Sequence, residues 1–149
     1  MPTGARLMSA IMLALAMMGA IWLAAWHDPS IGAAARNRLM LPGAVAGALF
    51  GWWMLGGRLG RGFLAAMGWA ITTMITAGFW FLAFLALRST TFAVLAGQHR
   101  GRPVQALEAL VDQFVIYLWL ASDIRVLLAA AVGALIAGAM GEYARMIWN

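Results

Sequence analysis

The sequence predicts an all-α integral membrane protein, one domain over residues 1–149, with four transmembrane helices and one amphipathic helix lying in the interface. Three observations predict it. Hydrophobic residues make up 64% of the chain and charged residues only 10%, with a mean hydropathy of +0.87. A soluble domain of this size keeps too many residues in contact with water to hide that much apolar surface. The apolar residues gather into runs of spanning length. The ten basic residues, all arginine, fall in the gaps between those runs: Arg6, Arg36 and Arg38, Arg58 and Arg61, Arg88, Arg100 and Arg102, Arg125, Arg145. Charges spaced in this way match lipid headgroups and insertion topology. A nucleic-acid binder concentrates its cations on one soluble face, so lipid is the expected partner and nucleic acid is not.

Residues 7–26 form the first span: 20 residues without a charge, or about 30 Å of helix. The run exceeds the usual apolar core of a signal peptide and no clean small-x-small cleavage site follows it, so a retained helix is expected. Trp22 and Trp26 near its far end read as interfacial anchors. Residues 27–38 read as a polar connection with turn chemistry at Asp28-Pro29-Ser30. The second span covers 39–55, with Pro42 placed in its first turn, where proline is tolerated. At this length it is short and is expected to stand upright or thin the bilayer.

The hinge Gly56-Gly57-Arg58-Leu59-Gly60-Arg61-Gly62 turns the second span into the third, 63–87, and the rest of the chain is expected to attach to that hairpin. The third apolar run is long enough to require tilt, and its pattern extends toward Leu95 before Gly97 stops it. Residues 97–103 are a loop. In 104–121, Gln105, Glu108 and Asp112 share one face opposite Leu107, Leu110, Val111, Phe114 and Val115. The all-apolar part beginning at Phe114 is too short to cross, which predicts an interfacial helix dipping inward at its end. Asp123 is placed to cap the last span, 124–140. Glu142, Tyr143, Arg145 and Trp148 then form a wet, aromatic end.

Four spans put the N-terminus, the Arg58/Arg61 loop and the C-terminus on one side. The density of Arg58 and Arg61 favours a cytoplasmic side for them, while the raw arginine count leans the other way. The residues alone leave orientation open, and cytoplasmic termini are the expectation carried forward.

Two small-residue ladders permit close helix approach: Gly43, Gly47 and Gly51, and Gly133, Ala137 and Gly141. The expected use is packing of the second span on the last, with an oligomer seam or another membrane protein as the competing use. Arg58, Arg61, Arg100 and Arg102 are the candidate contacts for headgroup phosphate or another oxyanion. Cysteine is absent, which excludes disulfides, thiolate metal sites and cysteine nucleophiles. The methionines of the first span read as apolar packing residues rather than copper ligands. His27 and His99 both fall in loops, which disfavours haem or pigment ligation. Thr72, Thr73 and Thr76 are expected to bond back to their own helix. The one ionisable side chain inside a span is Arg125, one turn into the last, from where it can reach headgroups by snorkelling. The lack of any deeper one disfavours transport, and no nucleophile–base or carboxylate pair marks an enzyme. No cofactor is expected.

In its order of features the chain resembles the TrgA family, small bacterial membrane proteins associated with tellurite resistance. The likeness rests on Met1-Pro2-Thr3 leading into a first span and on the Gly57-Arg58-Leu59-Gly60-Arg61-Gly62 hinge after a glycine-rich second span. It rests also on the arginine-rich loop ending in Pro103, the acidic-apolar segment, Asp123, and a last span closing on Glu142-Tyr143-Ala144-Arg145. The tail departs, with Met146-Ile147-Trp148 in place of further arginine. The resemblance implies a bacterial inner-membrane location and a non-catalytic link to tellurite tolerance. The residues themselves are equally those of a small accessory subunit of a larger membrane assembly.

Overall fold

The computed structural model describes residues 3–27, 33–97 and 103–148. They form α1 (Thr3–His27), α2 (Ala33–Phe50), a π-helical turn (Gly51–Leu55), α3 (Phe63–Leu95), α4 (Pro103–Ala121) and α5 (Ile124–Ile147). No strand occurs among the described residues, and five helices are long and apolar enough to cross a membrane.

Four of the helices outrun the apolar runs that announced them. α1 begins at Thr3 rather than residue 7, α2 at Ala33 rather than 39; α3 ends at Leu95 rather than 87, α5 at Ile147 rather than 140. Near a bilayer, a peptide group that leaves the helix must find another partner, so continuing the helix is the cheaper course. Long arginine stems are compatible with this, since in a bilayer such a head can reach polar surroundings while the backbone stays helical. Residues 33–38 are therefore the opening turns of α2 and not a connection. Pro42 consequently lies inside α2, not in its first turn. It forgoes the hydrogen bond to the Arg38 carbonyl, a loss that helices in lipid tolerate through their neighbours. With its π turn, the helical segment runs from Ala33 to Leu55.

The π turn is defined by Gly56 N–H donating to the Gly51 carbonyl five residues back, at 2.8 Å. The chain then reverses through Gly60 and Gly62, with φ of 104° and 95°, values that side-chain-bearing residues rarely adopt. Gly97, with φ of 86°, ends α3 in the same manner. At the start of α5, Asp123 accepts from Arg125 N–H at 2.8 Å, a side-chain cap.

The expected attachment to the 39–87 hairpin holds: α1 packs on α2, while α4 and α5 pack on α3. α1 itself lies between α2 and α5. Along one side lies α2: a methyl placed on Gly47 would stand 2.7 Å from the Leu13 carbonyl oxygen, and one on Gly51 2.6 Å from that of Ser9. Along another side lies α5, with Gly133 against Ala16 and Gly141 against the Ser9 hydroxyl. Both run antiparallel to α1, because their numbers rise as those of α1 fall. α3 completes the bundle, its Ala66 and Met67 meeting Gly138 of α5 and its Phe81 reaching Gly43 of α2. The enclosed side chains are mainly small: Ala66, Ala70, Ala77, Ala134 and Ala137, with Leu13 and Leu55 fully buried. Close backbone approach is how helices associate in lipid, where burying large apolar groups gains nothing. Leu41, Trp53, Leu64, Trp80 and Trp119 accordingly turn outward.

α4 is the exception. None of its described side chains, Val104 to Ala121, is buried. It leans on α3, where Phe114 meets Phe79 edge-on at 5.5 Å between ring centroids. Its direction follows from chain length. Were α4 parallel to α3, Gly97 and Pro103 would be separated by about 40 Å, whereas the peptide units between them reach about 20 Å. α4 therefore runs back along α3. α5 also runs opposite to α3, and only Ser122 and Asp123 separate α4 from α5.

Candidate functional site

Three chain segments meet at one end of the bundle: the start of α1, the 56–62 loop and the end of α5. Trp148 covers Gly4, the Arg6 stem lies against Gly56, and the Arg145 guanidinium lies over Gly60. Leu59 tucks its side chain against Gly141. This places the N-terminal helix end, the Arg58/Arg61 loop and the C-terminal helix end together.

Glu142 is the centre of the cluster. It is 1% exposed, which corrects its expected place in a wet tail. The Gly60 N–H donates to its Oε2 at 2.7 Å, and Arg145 Nη1 donates to Oε1 at 3.4 Å. A buried carboxylate costs several kcal/mol unless donors replace its water. Here one donor is a backbone amide that a positive-φ glycine aims at it, and the other is one turn away on the same helix. Beside them the Ser9 hydroxyl donates to the Ala5 carbonyl at 2.9 Å, so it is occupied within α1.

Arg58 stands apart from that network. Its guanidinium lies over the Trp69 ring, 3.9 Å from the centroid, a cation–π contact of about 1–2 kcal/mol when partly desolvated. Its Nη1 is sealed off without a hydrogen-bond partner. Arg61, by contrast, is exposed. Arg100 and Arg102 lie outside the described residues, as does His99; His27 closes α1.

The ladder residues do not meet one another. Gly43, Gly47 and Gly51 face Ile21, Leu13, Ala14, Ser9 and Ala10, while Gly133 and Gly141 face Ala16 and Ser9; Ala137 is fully buried. The expected packing of the second span on the last is thus replaced by packing of each on α1. Thr72, Thr73 and Thr76 donate to the carbonyls of Gly68, Trp69 and Thr72 at 3.1, 2.6 and 2.8 Å, closing the polar path they suggested. Among the described residues, no group of three or more histidine or acidic side chains is placed to hold a metal.

Sequence reasoning missed Glu142, Gly60 and Trp69. The signal available was the position of Glu142 directly after the Gly133/Ala137/Gly141 ladder and three residues before Arg145, which puts it next to a packing face with a cation in reach. Chemically the cluster offers guanidinium donors to an anion, with its one carboxylate already engaged. No family model, curated protein or solved structure matches the chain.

Proposed function

We propose that this chain is a multi-pass protein of the bacterial inner membrane that works without catalysis, contributing to tellurite tolerance through envelope properties or a partner. Four spans (α1, α2, α3, α5) and one interfacial helix (α4) make up the proposed topology, with both termini cytoplasmic. The observation that carries it is the outward set of large apolar side chains around a core of alanine and glycine, an arrangement suited to lipid as solvent. The chain path supports four spans rather than five. α4 and α5 run in the same sense with two residues between them, and two residues cannot carry the chain back across about 30 Å.

The tellurite link rests on the resemblance in feature order. Deleting the gene is expected to lower the tellurite concentration that cells survive; unchanged tolerance sinks that role. A second reading, an accessory subunit of a larger assembly, is favoured by α4, which leaves Leu107, Val111, Val115 and Trp119 exposed. Purification in mild detergent is expected to retain a second membrane protein under this reading; recovery of the bare chain counts against it.

A further inference from the structure

The geometry points to Arg58, stacked on Trp69, as the anchor of a phosphate-binding site at the end of the bundle where α1, the 56–62 loop and α5 meet. The site deepens the membrane reading and rests on it. Four guanidinium groups, those of Arg6, Arg58, Arg61 and Arg145, belong to this end of the described chain, against one carboxylate side chain, Glu142. That carboxylate is engaged by Gly60 N–H and Arg145.

Arg58 is the member that is held on a ring while its donors stay unspent. Trp69 supports its flat face, Nη1 is closed off, and none of its guanidinium N–H groups reaches an acceptor among the described residues. The residue is only half-buried, so the other edge of the fork stays open. A guanidinium fixed in this way presents parallel N–H groups with little rotamer freedom left to lose, the geometry that matches two oxygens of a phosphate. A second feature favours an anion at the same end. α3 starts at Gly62 with no side-chain cap and no acidic residue in its first turn, so its free N–H groups and the positive end of its dipole are uncompensated. Arg61 is exposed and has no ring beneath it, so it lacks the features that fix Arg58.

The ligand chemistry is a phosphate oxyanion, supplied either by a phospholipid headgroup or by free phosphate. The test uses the full chain in mild non-ionic detergent, delipidated and then given dioleoylphosphatidylglycerol in one arm and inorganic phosphate in the other. Retained lipid is counted by native mass spectrometry, and phosphate binding is read as a shift in thermal unfolding midpoint. In the lipid arm, wild type and R61Q are expected to hold one lipid, with occupancy about ten-fold lower in R58Q, the scale of one lost charge-assisted hydrogen bond. R58K keeps the stem and the charge but not the fork, and it is expected to lose most of the retention while staying folded. Should R58Q fail to fold, the same comparison is made with R58K against R61Q. A response to inorganic phosphate that depends on Arg58, with no such dependence for lipid, assigns the site to free phosphate. Equal behaviour of Arg58 and Arg61 variants in both arms overturns the site. A wild-type chain that stays folded and monomeric in plain buffer overturns the membrane reading itself, a separate result.

Discussion

Glu142 shows how a charge is kept at the end of an apolar helix. Its two oxygens take one donor each, from Gly60 and Arg145, and the glycine is required twice over. Its φ of 104° disfavours any side chain, and the Arg145 head occupies the space a methyl would need. Glu142→Gln keeps an acceptor for Gly60 but loses the charge pairing, and is expected to destabilise the protein by about 1–2 kcal/mol. Glu142→Ala leaves both donors unpaired and is expected to cost more, about 3 kcal/mol. Gly60→Ala is expected to match it, through backbone strain and displacement of Arg145. Denaturation by SDS in mixed micelles measures all three, and an unperturbed midpoint for Gly60→Ala would rule out a stabilising role for the Gly60–Glu142–Arg145 contact. Little of this was legible beforehand. The sequence placed Glu142 among polar tail residues because the apolar run ends near Met140, whereas its burial comes from a loop 82 positions away.

Among the helices, what sequence reads well is spacing and what it reads poorly is partnership. Glycine at every fourth position announces that some backbone comes close; it carries no label for which one. Both ladders proved to serve α1, and the sequence signal on α1 itself was weak. Its contact face, Ser9, Ala10, Leu13, Ala14 and Ala16, is small and unremarkable in composition. Helix ends were likewise read from hydrophobicity, and the helices continue past it because arginine can leave the apolar layer without the backbone leaving the helix. The consequence is testable at two glycines. Gly47→Leu drives a side chain into the α1 backbone, and an overpacking cost of about 3 kcal/mol is expected, since backbone cannot yield as a side chain can. Gly78 on α3 has nothing near its missing methyl, so Gly78→Ala is expected to be neutral or to stabilise by up to about 1 kcal/mol through helix propensity. Thermal unfolding in detergent that ranks the two variants the other way round would refute the packing of α2 on α1.

At the level of the whole molecule, the all-helical architecture was legible because so apolar a chain gathers its residues into long uncharged runs. The path of α4 was legible only in part. Its polar face was visible in Gln105, Glu108 and Asp112, but its expected apolar face is divided by the structure: Leu110 and Phe114 lean inward while Leu107, Val111 and Val115 turn out. The native absence of cysteine makes the topology directly measurable. With an impermeant thiol reagent, Gln105→Cys, Glu108→Cys and Ser122→Cys are expected to label from one and the same side, opposite to Arg61→Cys. Labelling of positions 105 and 122 from opposite sides would mean that α4 crosses. The place of α1 between α2 and α5 has a further consequence, for biogenesis. Translation delivers α1 before either of these neighbours, and the second of them, α5, is synthesised last. Until α5 has emerged, the side of α1 that meets Gly133 and Gly141 stays uncovered by that helix. A nascent chain halted before α5 therefore inserts without completing that packing, and is the form that membrane quality-control proteases are expected to clear first.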